Sequence, residues 1–582
     1  DLPTDSRGWS GVGRITLATG NGVWREVTDE QWNALDLWLR HGGELLLMVG
    51  RNGEMVSQNE RLSAWFPGQF AATEQVSENP TLEDYASAEA VLPPVMITQL
   101  TEIDGRVEAR YGSRGRTSGP VIIRSPYGFG VILYCGLDLD QDPVQSWEAR
   151  GRFVEQMLKL RRADWMSNES PNRGVTYGYS EMSGQLRAAL DSYESRGNAE
   201  SRGNAESRGN AESSGEAESG GKAKRGVRVL AFSVVAAGLV VYLVIIGPLD
   251  FFFLKRFVGK MEWTWVTFPL VLLVTCGLIL GVHSWRLGGV PTRLNQVDVV
   301  DLDLVDGTVR GTTWASLFTS QPGVFELSAT PHCAMSQVVV TDHSLIWQGH
   351  PGKGLGGFQA VSGVRWADSH YAVSTDKGFR VHRMPLAAAS SRSLIADWRG
   401  RLPSDFSAEL PSGTIGTLTE NSSSMLEGTV TNPLDVALIH PILVHRNTIY
   451  RLGERLRPRQ RVGIAQRPRR ALEWELTRRK NYDANQTRSS TNTKWDPLEQ
   501  DVRRLMEVML HYDAAGGSAY TELGQRYQAE IDLSQHLELG RAILWGEVKE
   551  PTIRLNINEK DATTDAERHW AFYRVILPVE SE

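Results

Sequence analysis

A chain of 582 residues, 41% apolar and 23% charged, can bury a substantial core and is long enough for two or more domains. That excludes a wholly disordered protein and a small disulfide-stapled one, and three scattered cysteines (Cys135, Cys276, Cys333) make neither a disulfide framework nor a paired-cysteine zinc site. With 62 Lys and Arg against 69 Asp and Glu, the net charge of −7 offers no basic excess, so nucleic acid is not expected as a partner.

Residues 1–166 alternate strand-like and helix-like patterns, which predicts an α/β domain. Arg14–Ala18 reads as a buried strand. Thr28 with Gln31 three residues on predicts a capped helix through Arg40, its Trp32, Leu35, Leu37 and Leu39 lying on or near one face. His41-Gly42-Gly43 stops it, and Glu44–Gly50 is a second strand. Gly119–Arg124 and Gly130–Gly136 predict a hairpin, and a helix from Trp147 to Leu160, with Phe153, Val154, Met157 and Leu158 inward, closes the domain.

Residues 167–226 contain Ser195-Arg-Gly-Asn-Ala-Glu200 three times in succession. A polar six-residue repeat buries too little to offset its ordering entropy, so this stretch is expected to be a disordered tether. Within 227–285, Val229–Leu249 and Trp263–Val282 hold no charged residue. Each is about 20 residues, long enough at helical rise for a hydrocarbon core of roughly 30 Å, and the connection between them forces an antiparallel hairpin. Trp263, Trp265 and Trp285 flank the second stretch where indoles favour an interface. Two transmembrane helices in a bacterial cytoplasmic membrane are the expectation, with the lipid bilayer and other membrane proteins as partners. Lys255, Arg256 and Lys260 in the connection argue for a cytoplasmic turn, and basic residues flanking the hairpin argue the reverse.

Residues 286–582 read as largely β, from runs such as Gln296–Val305, Ser336–Thr341, Glu427–Thr431, Arg541–Trp545 and Phe572–Leu577. A sandwich or pair of sandwiches fits best, with a helical insertion near 496–540 marked by Leu498, Val502, Leu505, Met506 and Met509.

The stretch Thr28–Trp32, continuing through Trp38–Gly50, resembles the helix-then-strand unit of class I glutamine amidotransferase-like domains, and Tyr127–Asp140 resembles their late strand. Tyr242–Arg256 with Trp263–Leu270 resembles the membrane hairpin of a group of uncharacterised bacterial membrane proteins that carry such a domain. The resemblance implies a flavodoxin-like α/β fold for 1–166, incomplete at its start because an export signal and further sequence precede it in that architecture. It also implies that both soluble domains lie outside the cytoplasm.

Catalysis of the amidotransferase kind needs a nucleophile on the turn after a strand and a His in reach. The turn after Glu44–Gly50 reads Gly50-Arg51-Asn52-Gly53, Cys135 lies inside an apolar strand, and His41 is the one His before residue 283. Asp138, Asp140 and Asp142 alternate as calcium ligands do, but Pro143 and Ala149 stand where an EF-hand needs Gly and Glu. Gly352–Gly357 fits no phosphate loop, and His332, His343, His350, His370 and His382 show no metal-binding spacing. The basic run Arg451–Arg470 suits anionic headgroups or an acidic partner, or equally the exposed positions of an edge strand. Asp250 reads as interfacial, next to Lys255 and Arg256. No residue is assigned to catalysis, a cofactor or a metal. The sequence reads as a non-enzymatic, membrane-anchored scaffold or binding component of an envelope complex; the rival readings are an accessory subunit of an ABC-type exporter and a hydrolase or amidotransferase with an unrecognised site.

Overall fold

The computed structural model describes residues 2–112, 118–159, 180–191, 239–249, 252, 255–256, 264–287, 292–348, 372–374, 379–388, 390–403, 416–482, 488–492, 494–563, 566 and 568–581. Among the described residues strand outweighs helix, 39% to 27%, so the described part of the chain is β-rich.

The first lobe centres on β1 (Arg14–Ala18), β2 (Glu44–Met48), β5 (Arg106–Arg110), β6 (Pro120–Tyr127) and β7 (Gly130–Cys135), in the order β1-β2-β7-β6-β5. β1, β2 and β7 run parallel, whereas β6 and β5 are antiparallel to their neighbours. The flavodoxin-like fold expected for this region is corrected on that ground: a two-residue turn joins β6 to β7, so no helical crossover connects them and the sheet is mixed. Period-2 alternation splits β2 between two cores, Leu45 and Leu47 towards helix α1 (Asp29–Arg40), Leu46 and Met48 towards Phe153 and Met157 of the helix Arg150–Met157. The predicted capping box holds: Thr28 Oγ1 accepts from Gln31 N at 3.4 Å and Gln31 Oε1 from Thr28 N at 2.9 Å. A separate hairpin, β3 (Gln69–Val76) with β4 (Val95–Thr101), lies beside the sheet.

The second lobe is built on a ten-stranded sheet whose centre is β8 (Thr292–Asp303), β9 (Thr308–Thr319) and the strand Arg568–Leu577, the last pairing parallel with β8. One face packs against further strands, Leu302 and Val575 meeting Leu327, Val381 and Leu555, and this is the sandwich-like part. The other face carries helices instead, Val299 and Phe572 meeting Leu505, Met506 and Met509 of Val502–Met509. The expected helical insertion therefore packs directly on the sheet, and a sandwich alone does not describe the lobe.

Part of the expected tether is folded. Met182–Leu190 is a helix buried in the helical layer of the second lobe, beside Val502 and Met506, while the six-residue repeat lies outside the described residues. The transmembrane hairpin and the multi-pass membrane location are also corrected: among the described residues no helix is long and apolar enough to cross a membrane. Of the first stretch, Ile245–Leu249 is a π-helical turn containing Pro248, and most of the remainder lies outside the described residues. The second stretch is helical over Thr264–Leu287, but its described side chains run unbroken only from 265 to 278, about 21 Å at helical rise. The correction concerns helices and says nothing of strands.

Candidate functional site

Thr19-Gly20, Val49-Gly50-Arg51 and 136–142 follow the parallel strands β1, β2 and β7 and form a rim at their carboxyl ends. In open α/β sheets ligands sit at this edge, where the loops leaving the strands converge. Gly50 holds the turn after β2 with φ +48, a conformation that side chains other than Gly enter at a cost. The amidotransferase-like pattern requires a nucleophile at such a turn. Here the space is taken by the carboxyl group of Asp138, whose Cγ lies 2.0 Å from where a Cβ on Gly50 would stand.

Asp138 is 6% exposed and locks the turn. Its Oδ2 accepts from Arg51 N at 2.9 Å and Arg51 Nε at 3.0 Å, and Arg51 Nη2 continues to the carbonyl of Asp142 at 3.1 Å. Thr98 Oγ1 donates to the carbonyl of Gly50, so this hydroxyl is committed to the backbone. Oδ1 of Asp138 and Oδ1 of Asp140 are buried with no hydrogen-bond partner among the described residues. Both oxygens are shut off from solvent, and among the described residues the turn presents no activated nucleophile.

The remaining sequence candidates are dispersed. Cys135 is fully buried in β7, and burial pushes its thiol up to about 12, so it stays protonated at neutral pH. His41 sits at the other end of the sheet; burial first, then Arg399, lowers it to about 3, and Nδ1 donates to the carbonyl of Leu37 at 2.6 Å. Asp142 accepts from Ser146 Oγ at 2.5 Å. Among the described residues no group of three or more His, Cys, Asp and Glu is placed to hold a metal ion. His332 is exposed, His343 lies beside Arg7, and His382 pairs with Glu326 at 2.6 Å. His350, His370, Gly352–Gly357 and Asp250 lie outside the described residues. The basic run alternates as edge strands do: Arg455 and Arg461 are exposed, Leu456 and Val462 buried, while Arg459 pairs with Asp435 at 3.0 Å and Arg470 with Glu475 at 3.3 Å.

Sequence reading missed the opposite edge of the same sheet, where the amino ends of β1, β2 and β7 meet the second lobe. Phe129, in the β6–β7 turn, inserts into the helical layer, where its carbonyl accepts from His536 Nε2 at 3.0 Å and its ring lies 4.5 Å from the guanidinium of Arg310. Arg310 donates to the carbonyls of His41 at 2.7 Å and Glu530 at 2.6 Å, and its Nε to Asp301 at 2.8 Å. Asp301 also holds Arg574 through two bonds of 2.7 and 3.0 Å. Burial pushes Asp301 up, but the two guanidinium groups outweigh it and hold it below the ordinary carboxylate range. Gly128 N donates to Asp306 at 2.6 Å, and Arg7 reaches Asp342 and the ring of Phe379. The signal for this junction lay in Asp301: a carboxylate inside a β-branched run of a central strand needs buried partners.

No family model matches the chain, and no curated protein matches it. Among solved structures it is similar to the exo-beta-1,4-mannosidase Op5Man5 from Opitutaceae bacterium strain TAV5, at 15% identity and a TM-score of 0.18. That likeness covers 26% of this chain and 25% of the mannosidase chain, and is too slight to carry fold or function across.

Proposed function

We propose that the chain is a non-enzymatic scaffold or binding component of a protein complex, its first lobe used for recognition. The observation that carries this reading is the Asp138 carboxylate filling the space over Gly50, where a nucleophile would need to project. The buried, protonated thiol of Cys135 supports it. The rim lies at the carboxyl ends of the strands while the second lobe contacts the amino ends, which leaves the rim to an external partner.

Two measurements on the full chain test it. Incubation with a diazoketone analogue of glutamine, followed by intact-mass analysis and an ammonia assay with glutamine, should give neither adduct nor turnover. Purification from the native host at its own expression level should return the chain in an assembly of fixed stoichiometry. Turnover, or an adduct on Cys135 or on residues 49–53, would overturn the proposal, as would isolation as a lone monomer.

A further inference from the structure

The chain reaches residues 180–191 before the repeat, yet this segment belongs to the second lobe. Met182, Leu186, Ala189 and Leu190 are each 3% exposed or less. The backbone docks as well, with Met182 N donating to the carbonyl of Gly524 and Gly524 N to that of Ser180, both at 2.8 Å. Glu181, its side chain fully buried, accepts from Arg526 N at 2.8 Å and Nε at 2.9 Å. Gln185 accepts from Trp495 Nε1 at 2.9 Å and donates to the carbonyl of Asp496 at 2.9 Å. Buried polar groups satisfied at this density mark a built interface, because each would be costly if left unpaired.

The end of the segment lies where the chain returns. Asn295 Nδ2 donates to the carbonyl of Leu190 at 2.7 Å, Ser316 Oγ donates to Asp191 at 2.5 Å, and Asn295 and Ser316 are cross-strand partners in β8 and β9. The departure at Asp191 and the re-entry at Thr292 are therefore neighbours on one surface. A second, independent attachment joins the same two parts of the chain: Phe129 in the helical layer, with Arg310 bonded to the carbonyl of His41.

We propose that residues 1–191 and 292–582 form one self-complementary body, in which the partner of the surface presented by Met182–Leu190 and Phe129 is the chain's own second lobe, and which the chain leaves at Asp191 and re-enters at Thr292 on the same surface. Closing a loop whose ends already meet costs only entropy that varies slowly with its length, so the body does not depend on an unbroken connection. Proteolytic cleavage within 192–291 then converts one chain into a two-chain complex and releases neither lobe.

The test uses the full chain with a site-specific protease sequence inserted after Gly203 in one variant and after Gly289 in another. After native cleavage the two fragments should co-elute on size exclusion at the position of the uncut protein, and should keep doing so on serial dilution. Separation of the fragments would overturn the proposal. Resistance at both sites under native conditions, with ready cleavage in urea, would equally overturn it, because 192–291 would then be packed into the body. A cut chain carrying Leu186→Asp should lose co-elution on dilution; unchanged association would show that the helix is not part of the interface.

Discussion

Gly50→Ala tests whether the Asp138 carboxylate sets the shape of the rim. Two costs combine. The residue stands at φ +48, where an added Cβ costs about 1 kcal/mol. That Cβ would also lie 2.0 to 2.2 Å from three atoms of the Asp138 carboxyl group, which must move and give up its bond to Arg51 N. Loss of a charge-assisted bond to a backbone N–H costs about 1.5–3 kcal/mol. The Arg51 side chain is half exposed, so its ion pair with Asp138 adds little. Gly50→Ala should therefore destabilise the first lobe by about 2.5–4 kcal/mol, and Asp138→Ala alone by about 1.5–3 kcal/mol. In the Asp138→Ala background the clash is gone, and Gly50→Ala should cost only about 1 kcal/mol. Urea unfolding followed by tryptophan fluorescence, run as a double-mutant cycle, reads the coupling as about 2 kcal/mol. Additivity of the two substitutions within about 0.5 kcal/mol would refute the reasoning, since the carboxylate would then not occupy the space above Gly50.

Phe129→Ala removes an aromatic knob from the helical layer; a cost of about 3–5 kcal/mol at the junction should split a single calorimetric transition into two. Arg574→Met leaves Asp301 buried with Arg310 alone and should destabilise by about 3–5 kcal/mol in urea, with the double variant Asp301→Leu, Arg574→Met recovering part of the loss. Asp303 is raised from 3.8 to about 7 by burial and then by Asp306, so its neutral form stabilises fully below pH 3.8 and that contribution fades as pH rises to about 7. Asp303→Asn, which still accepts from Val305 N, should flatten the fall in stability across that window, and an unchanged pH profile would refute the assignment.

The readable parts of the sequence were those fixed by local chemistry. Thr28 and Gln31 announce a helix start because the capping box is satisfied within four residues. The run of β2 announces itself because both of its faces are buried. Gly119–Arg124 and Gly130–Gly136 read as a hairpin and form one, and that antiparallel pair makes the sheet mixed where a resemblance resting on one helix and two strands implies a flavodoxin-like order. The helix Met182–Leu190 was hidden because its buried surface includes the polar Gln185 and Arg187, whose hydrogen-bond partners Trp495 and Ser393 lie more than 200 positions away in the chain. The same holds for Arg310 and Arg574: a charged residue in a strand reads as surface until the partner that buries it is known.

The placement of charge distinguishes the two edges of the first sheet. The amino edge offers His41, Gly42 and Gly128 as bare backbone, and the second lobe supplies the matching charged groups, Arg310 to the carbonyl of His41 and Asp306 to the N–H of Gly128. Gly42 admits this approach because a Cβ there would stand 2.9 Å from Arg310 Nη1. At the carboxyl edge the pattern is reversed. The first lobe supplies its own carboxylate to its own turn through Asp138 and Arg51, and keeps one oxygen each of Asp138 and Asp140 without an internal donor. An edge whose backbone is satisfied by another lobe is committed to that lobe, whereas an edge that satisfies its own turn makes no such demand on the second lobe. The binding role proposed for the rim follows from that difference.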